Sequence, residues 1–318
     1  FTNMRLFQRK YTLLSIILSI STPTFADVVD TGWVSRGSGE AVANGNSLLN
    51  SQPSISGLQG GGYVLVWSAA SAPGLSSRAI YGRVFDPNGS PVGSEFQVNP
   101  SVGDQSFAYS SVAGLSDGGF VVLWEVSDLC SPYCFNWKVY GQLFDRASFK
   151  VGEVFMVRPS IPDSLGYYWE TERFPLVLAE SGGGFMTIWS DATGNGFGNT
   201  YAKKYDLQNS AGQITTIIGT YGNGWQPSTS WKSASTRNDG NFLISWLQPG
   251  PGGVGADIRA TTVDGFGNLL GQEFEVDWLH SFGPVSSISL TDGGSAFAFM
   301  DTTDAQGCAA SKYHQCVR

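Results

Sequence analysis

The stretch SVAGLSDGGFVVLW, Ser111 to Trp124, decides the fold. It opens with small residues, turns through glycines, and runs on as an apolar segment closed by Trp124. The same frame returns as SISGLQGGGYVLVW ending at Trp67, LVLAESGGGFMTIW at Trp189, SASTRNDGNFLISW at Trp246 and SISLTDGGSAFAFM at Met300. Four of these copies are followed by a second half: IYGRVFDPNGSPVGSEFQVN, VYGQLFDRASFKVGEVFMVR, TYAKKYDLQNSAGQITTI and IRATTVDGFGNLLGQEFEVD. Trp67 and Trp124 stand 57 residues apart, and recurrence at a period of this order marks a repeat architecture.

Within a copy the apolar residues alternate, as at Tyr63, Leu65 and Trp67 or Phe120, Val122 and Trp124, which is the period of a strand. Glycines at 60–62, 118–119 and 182–184, and the run Asp86-Pro87-Asn88-Gly89, supply tight turns between such strands. Each copy therefore predicts four antiparallel strands, the unit of a propeller blade. The expected fold is all-β: a β-propeller of five blades over residues 53–99, 110–158, 174–218, 232–277 and 284–318. The fifth copy is short of its outer strand. Glu40-Ala41-Val42-Ala43-Asn44 aligns with Glu95-Phe96-Gln97-Val98-Asn99, so residues 38–46 are expected to complete it. Its third strand is placed at Lys312 to Arg318, with Tyr313 on Tyr140. Such pairing removes an exposed edge; an open array of repeats belonging to a longer protein is the alternative.

The first strand of each copy carries small residues on one face: Ser54 and Ser56, Ser111 and Ala113, Ser233 and Ser235, Ser287 and Ser289. They suit strands crowded about an axis. Trp67, Trp124, Trp189 and Trp246 recur at one position and are read as packing residues.

Residues 1–26 are set apart from a single domain at 27–318. Phe1-Thr2-Asn3 precede Met4; Arg5, Arg9 and Lys10 are followed by an apolar run, Tyr11 to Ile20, and by Thr24-Phe25-Ala26. That is the pattern of a secretory leader cleaved after Ala26, its apolar run too short to span a bilayer. The expected location is secreted, periplasmic or on a bacterial cell surface, without membrane insertion. Net charge is −8, and loss of the leader's three basic residues takes it to −11, which disfavours nucleic acid as a partner. Four cysteines in an exported chain read as disulfides. Cys130 with Cys134 and Cys308 with Cys316 are the local pairs among three connectivities. Zinc lacks support, because the two histidines have no ligand spacing with a cysteine pair.

Turns joining strands one to two and three to four are alike in every copy, whereas the opposite rim varies. Ser68, Glu125, Ser190, Leu247 and Asp301 diverge just after the repeat Trp or Met, and the connections from Arg158 to Arg173 and Gly219 to Trp231 are long. Variable loops on a rigid frame are where function concentrates. Trp169, Trp225 and Trp278, with Tyr168, Trp137 and Trp231, are the ligand-binding candidates, since aromatic planes stack on sugar rings and also suit protein interfaces. A hydrolase would need paired carboxylates. Glu125, Asp191, Asp301 and Glu170 are available, with Glu172 nearby, but no pair stands out and binding is favoured over catalysis. No cofactor is implied. Asp86, Asp145, Asp206 and Asp264 recur before a turn; turn capping explains them, and calcium is the other reading.

The pattern GGFVVxW with YGxxFDxxGxxVGxEFxVN, at Gly118 to Trp124 and Tyr81 to Asn99, resembles a tandem repeat of large bacterial exported and surface proteins. That resemblance covers Glu40 to the end and implies a surface recognition role, for a glycan or a cell-surface protein. Ser116-Asp117-Gly118-Gly119 resembles the Asp-box of sialidase propellers, but Trp124 falls too far from the glycines for that activity to carry over. Regular copies also resemble small five-bladed repeat lectins. The expectation is a carbohydrate or surface-ligand binding module. A glycoside hydrolase of five-bladed type, or a structural, adhesive fragment of a larger protein, are the alternatives.

Overall fold

A computed structural model describes residues 2–8, 14–18, 51–70, 78–100, 106–130, 134–158, 172–191, 199–207, 211–218, 232–249, 256–277, 285–290, 292–301 and 316–317. Every regular element among them is a strand. β1 (Thr2–Gln8) and β2 (Leu14–Leu18) form a hairpin. β3 (Ser51–Gly57), β4 (Tyr63–Ala70), β5 (Arg78–Phe85) and β6 (Pro91–Gln97) make the first meander. β7 (Ser106–Gly114), β8 (Phe120–Cys130), β9 (Cys134–Phe144) and β10 (Lys150–Met156) make the second. The third contains β11 (Glu172–Ala179), β12 (Phe185–Asp191), β13 (Thr200–Tyr205) and β14 (Ala211–Ile218). The fourth contains β15 (Lys232–Thr236), β16 (Phe242–Pro249), β17 (Ala256–Val263) and β18 (Phe274–Asp277). All four are antiparallel in chain order, one sheet per copy, as the repeat predicts.

The chain divides into two compact units, 1–42 with 220–263 and 269–318, and 43–219 with 264–268. In the latter, alternate residues of β8 face different sheets. Phe120, Val122 and Trp124 pack with Val64, Val66 and Ile80 of the first sheet. Val121 and Leu123 pack with Val177, Phe185 and Trp189 of the third. A strand buried on both faces needs an unbroken apolar run, which is why β8 reads FVVLW. In the other unit Leu243, Ile258 and Ala260 pack with Val285, Phe297 and Phe299. The repeat tryptophans are core residues, Trp67 4% exposed and the others at most 1%.

Serines on the first strands tie neighbouring sheets together. Ser54 and Ser56 accept from the backbone N–H of Val112 (3.2 Å) and Gly114 (2.9 Å). Ser111 accepts from Val177 (3.0 Å), and Ser233 from Ser287 (3.0 Å). Small side chains on this face let a hydroxyl reach the next backbone. Gly114 shows how close that approach is, because a Cβ there would strike the Gly57 carbonyl oxygen.

The fifth copy departs from expectation. β19 (Ser286–Ser289) and β20 (Ser295–Ala298) form its first hairpin, and the turn bonds Leu290 N–H to Gly294 O and Gly293 N–H to Leu290 O match those at Leu58 and Gly62. Leu290 therefore takes the place of Leu58, and Ser286, not Ser287, that of Ser54; the SIS triplet misplaces the copy by one residue. The sheet order is β19-β20-β1-β2, with Phe7 opposite Phe297 and Gln8 opposite Ala296. β1 and β2 thus hold the places assigned to Lys312–Arg318 and residues 38–46. An open strand edge binds an extended chain that reaches it: Thr2–Gln8 takes the edge of β20, and the apolar Leu14–Leu18, LSIIL, pairs with the other edge of Thr2–Gln8. β21 (Met300–Asp301) pairs with β22 (Cys316–Val317), Met300 facing Val317 instead of Tyr313. Residues 38–46 and Tyr313 lie outside the described residues. No helix among the described residues is long and apolar enough to cross a membrane.

Candidate functional site

A bulge interrupts the first strand of three sheets at the same place. Pairing slips between Ser51 and Ser54, Ala108 and Ser111, and Arg173 and Leu176, so that two residues face the repeat Trp of the neighbouring strand. The first bulge residue is left-handed in each: Gln52 at φ 55°, Tyr109 at 43° and Phe174 at 55°. Non-glycine residues enter that region at a cost and are held there by their surroundings. Here backbone hydrogen bonds supply the hold. Tyr109 N–H donates to Gln52 Oε1 at 3.0 Å, and Phe174 N–H donates to Glu125 Oε1. Bulges re-aim side chains, often beside functional sites.

The third bulge builds the cluster of interest. Glu125, on β8 just after Trp124, is fully buried. While its Oε1 receives Phe174, its Oε2 faces Arg173 Nε at 3.4 Å. That ion pair holds the Arg173 guanidinium among three aromatic rings. Its Cζ lies 4.1 Å from the Trp137 ring centroid, 4.6 Å from Phe174 and 5.8 Å from Tyr109. Tyr109 and Phe174 meet edge to face, 4.9 Å between centroids. Cation-on-ring contacts of this kind orient a guanidinium while leaving its N–H groups to bond elsewhere. Among the described residues the two terminal nitrogens of Arg173 meet no acceptor. The Arg173 side chain keeps 25% of its surface and Tyr109 keeps 37%.

Of the residues the sequence nominates, the structure brings Glu125 and Trp137 together on Arg173. With both carboxylate oxygens engaged, Glu125 is placed to position Arg173 and the Phe174 bulge. Asp191 ends β12 as the register partner of Glu172, one step along from the Arg173–Ser190 pair. Asp301 lies opposite Cys316, and Cys130 opposite Cys134. Glu170, Tyr168, Trp169, Trp225, Trp231, Trp278 and Cys308 lie outside the described residues. Sequence reasoning missed Arg173, Tyr109 and Phe174. The one available signal was an aromatic pair, Tyr109 and Phe174, each two residues before the alternating run of its copy.

Three of the four recurrent aspartates cap turns. Oδ1 of Asp86, Asp145 and Asp264 each accepts two backbone N–H groups at 2.8–2.9 Å. Among the described residues no group of three or more His, Cys, Asp or Glu is placed to hold a metal ion.

Sheets of this kind, four antiparallel strands in an all-β, propeller-like chain, define the structural class. Solved structures share it. A protein of unknown function from Dyadobacter fermentans superposes with a TM-score of 0.56 at 12% identity, over 79% of this chain and 75% of that one. The NanB sialidase from Streptococcus pneumoniae also gives 0.56, at 10% identity, over 82% of this chain and 57% of its own. An α-L-arabinofuranosidase from Fusarium graminearum gives 0.50 at 12% identity, over 79% and 74%. This chain thus spans little more than half the length of NanB. At these identities the likeness is one of fold. No protein-family model matches the chain, and no curated protein matches it by sequence.

Proposed function

We propose that this chain is an exported carbohydrate-recognition module, a five-bladed propeller acting in the periplasm, at the bacterial surface or outside the cell. The observation that carries the reading is the Arg173 cluster. Tyr109, exposed, stands with Trp137 and Phe174 around a guanidinium with bonding capacity to spare, at the strand ends where the copies diverge. Aromatic faces stack on the C–H side of a pyranose while a neighbouring donor bonds its oxygens. Five like turns, at residues 58–62, 115–119, 180–184, 237–241 and 290–294, support the blade count. Cys130 and Cys134 oppose one another at the end of the β8–β9 hairpin. Directly opposed strand residues stand about 4.5–5.5 Å apart at Cα, within disulfide range, and we assign the pair a bond that pins this rim.

The test is a glycan-array screen of the chain beside the double variant Tyr109→Ala/Trp137→Ala, both shown to unfold cooperatively. Retention of a polysaccharide by the wild type, weakened at least about tenfold in the variant, is the expected result. No retention by folded wild type transfers the role to protein recognition or adhesion.

One observation favours hydrolysis as a second reading. Glu172 and Asp191 are register partners beside Arg173. Sugar release from a bound glycan, abolished by Asp191→Asn or Glu172→Gln with binding retained, would establish it.

A further inference from the structure

We infer that the glycan taken at the Arg173 cluster is acidic, a uronic-acid-bearing chain whose carboxylate is bonded by the terminal nitrogens of Arg173. The inference rests on the carbohydrate reading above and names its substrate class. Three observations lead to it. Nε of Arg173 is engaged by Glu125, a buried carboxylate, which fixes the side chain from behind. The Trp137 and Phe174 rings fix the guanidinium at Cζ, 4.1 and 4.6 Å away. The two terminal nitrogens then remain without an acceptor among the described residues, on a side chain one-quarter exposed.

A guanidinium edge with two parallel N–H donors matches the two oxygens of a carboxylate, and the charge-assisted bidentate pair is about twice as strong as a neutral one. Preorganisation strengthens the case. An exposed arginine ordinarily loses side-chain entropy when it binds, whereas Arg173 is already ordered by Glu125 and the rings. A neutral sugar would use the aromatic faces and leave that charge with no counterpart beyond Glu125. A carboxylate carried directly on a pyranose places an anion beside an apolar ring face, which is the combination Arg173 and its aromatic neighbours offer. The overall charge of −8 does not attract an anion, so a local, ordered cation is what such a ligand requires.

The experiment titrates the full chain with oligogalacturonate, the same oligomer fully methyl-esterified, and a sulfated neutral oligosaccharide of equal length. The acid form is expected to bind roughly ten- to a hundredfold more tightly than its ester, the worth of a hydrogen-bonded charge. The double variant Glu125→Gln/Arg173→Gln, which removes both charges without stranding either one in the interior, is expected to erase that preference. Its unfolding transition is recorded alongside, and Arg173→Lys serves as the second variant: it keeps the charge and loses the fork, so discrimination should fall while folding is preserved. Equal binding of acid and ester, or preference for the sulfated oligomer, overturns the carboxylate assignment and leaves carbohydrate recognition standing. Binding of none of the three, together with a blank glycan array, overturns both.

Discussion

Asp264 shows how a single carboxylate sets a turn. Burial pulls its pKa up, but donors from the Asn268 side chain and from the backbone N–H of Asn268, Phe266 and Gly267 outweigh that and hold it below the ordinary value. A depressed carboxylate contributes stability in full above its unfolded pKa, about 3.9, and loses it as pH falls through the lower folded value. Asp264→Ala is therefore expected to lower stability by about 1 kcal/mol at neutral pH. That deficit should shrink in denaturant titrations run below about pH 3.9, and Asp264→Asn, which keeps an acceptor, should show a smaller and pH-independent loss. A deficit unchanged down to pH 2 would mean that the carboxylate does not hold the turn. The same residue type was legible in the sequence as a turn cap. Arg173 was not, because an arginine acquires meaning only from what surrounds it. Its neighbours Tyr109, Glu125 and Trp137 come from three strands of the second sheet and meet Arg173 only when the third sheet stacks on it.

At the scale of elements, the repeat made strands, turns and core tryptophans readable, since each rests on local periodicity. The bulges were hidden. Gln52 shares the backbone conformation of Tyr109 and Phe174 but not their aromatic chemistry, and a left-handed residue that is not glycine leaves no mark in composition. The serine face was half readable: its small size was visible, while the hydrogen bonds that Ser54, Ser56 and Ser111 accept from the following sheet depend on packing. Equivalent glycines separate these effects. Gly57 and Gly114 end the same strand in successive copies, yet a Cβ on Gly57 meets nothing within 4 Å, while one on Gly114 meets the Gly57 carbonyl. Gly114→Ala is expected to destabilise by about 1–3 kcal/mol, as overpacking does. Gly57→Ala is expected to be neutral or to stabilise by up to about 1 kcal/mol, by restricting the unfolded chain. Chemical denaturation of the pair reads the difference directly, and equal effects would refute the close stacking of β3 on β7.

For the molecule as a whole, one segment is claimed by two roles that exclude each other. Read as sequence, Met4 to Ala26 is a leader to be removed on export; in the structure, Thr2–Gln8 pairs with β20 and Leu14–Leu18 covers Thr2–Gln8. Both readings follow from the same property. A run of Leu and Ile suits a translocation signal, and it equally suits a strand laid along β1, which itself takes the open edge of the β19–β20 hairpin, a two-stranded unit that is marginal alone in water. Cleavage after Ala26 would strip β20 of that neighbour and reopen its row of backbone groups. The export reading then requires other parts of the same chain to take the two places, and Lys312–Arg318 beside β20, with residues 38–46 as the outer strand, are nominated. Expression with the leader in a secreting bacterial host should give a protein whose terminal sequence starts at Asp27. A chain of residues 27–318 should unfold in one cooperative transition, with the amides of Ala296 to Ala298 protected from hydrogen exchange. Retention of Met4 in the exported protein, or loss of protection at β20 in the shortened chain, would instead make the β1–β2 hairpin a permanent part of the fold.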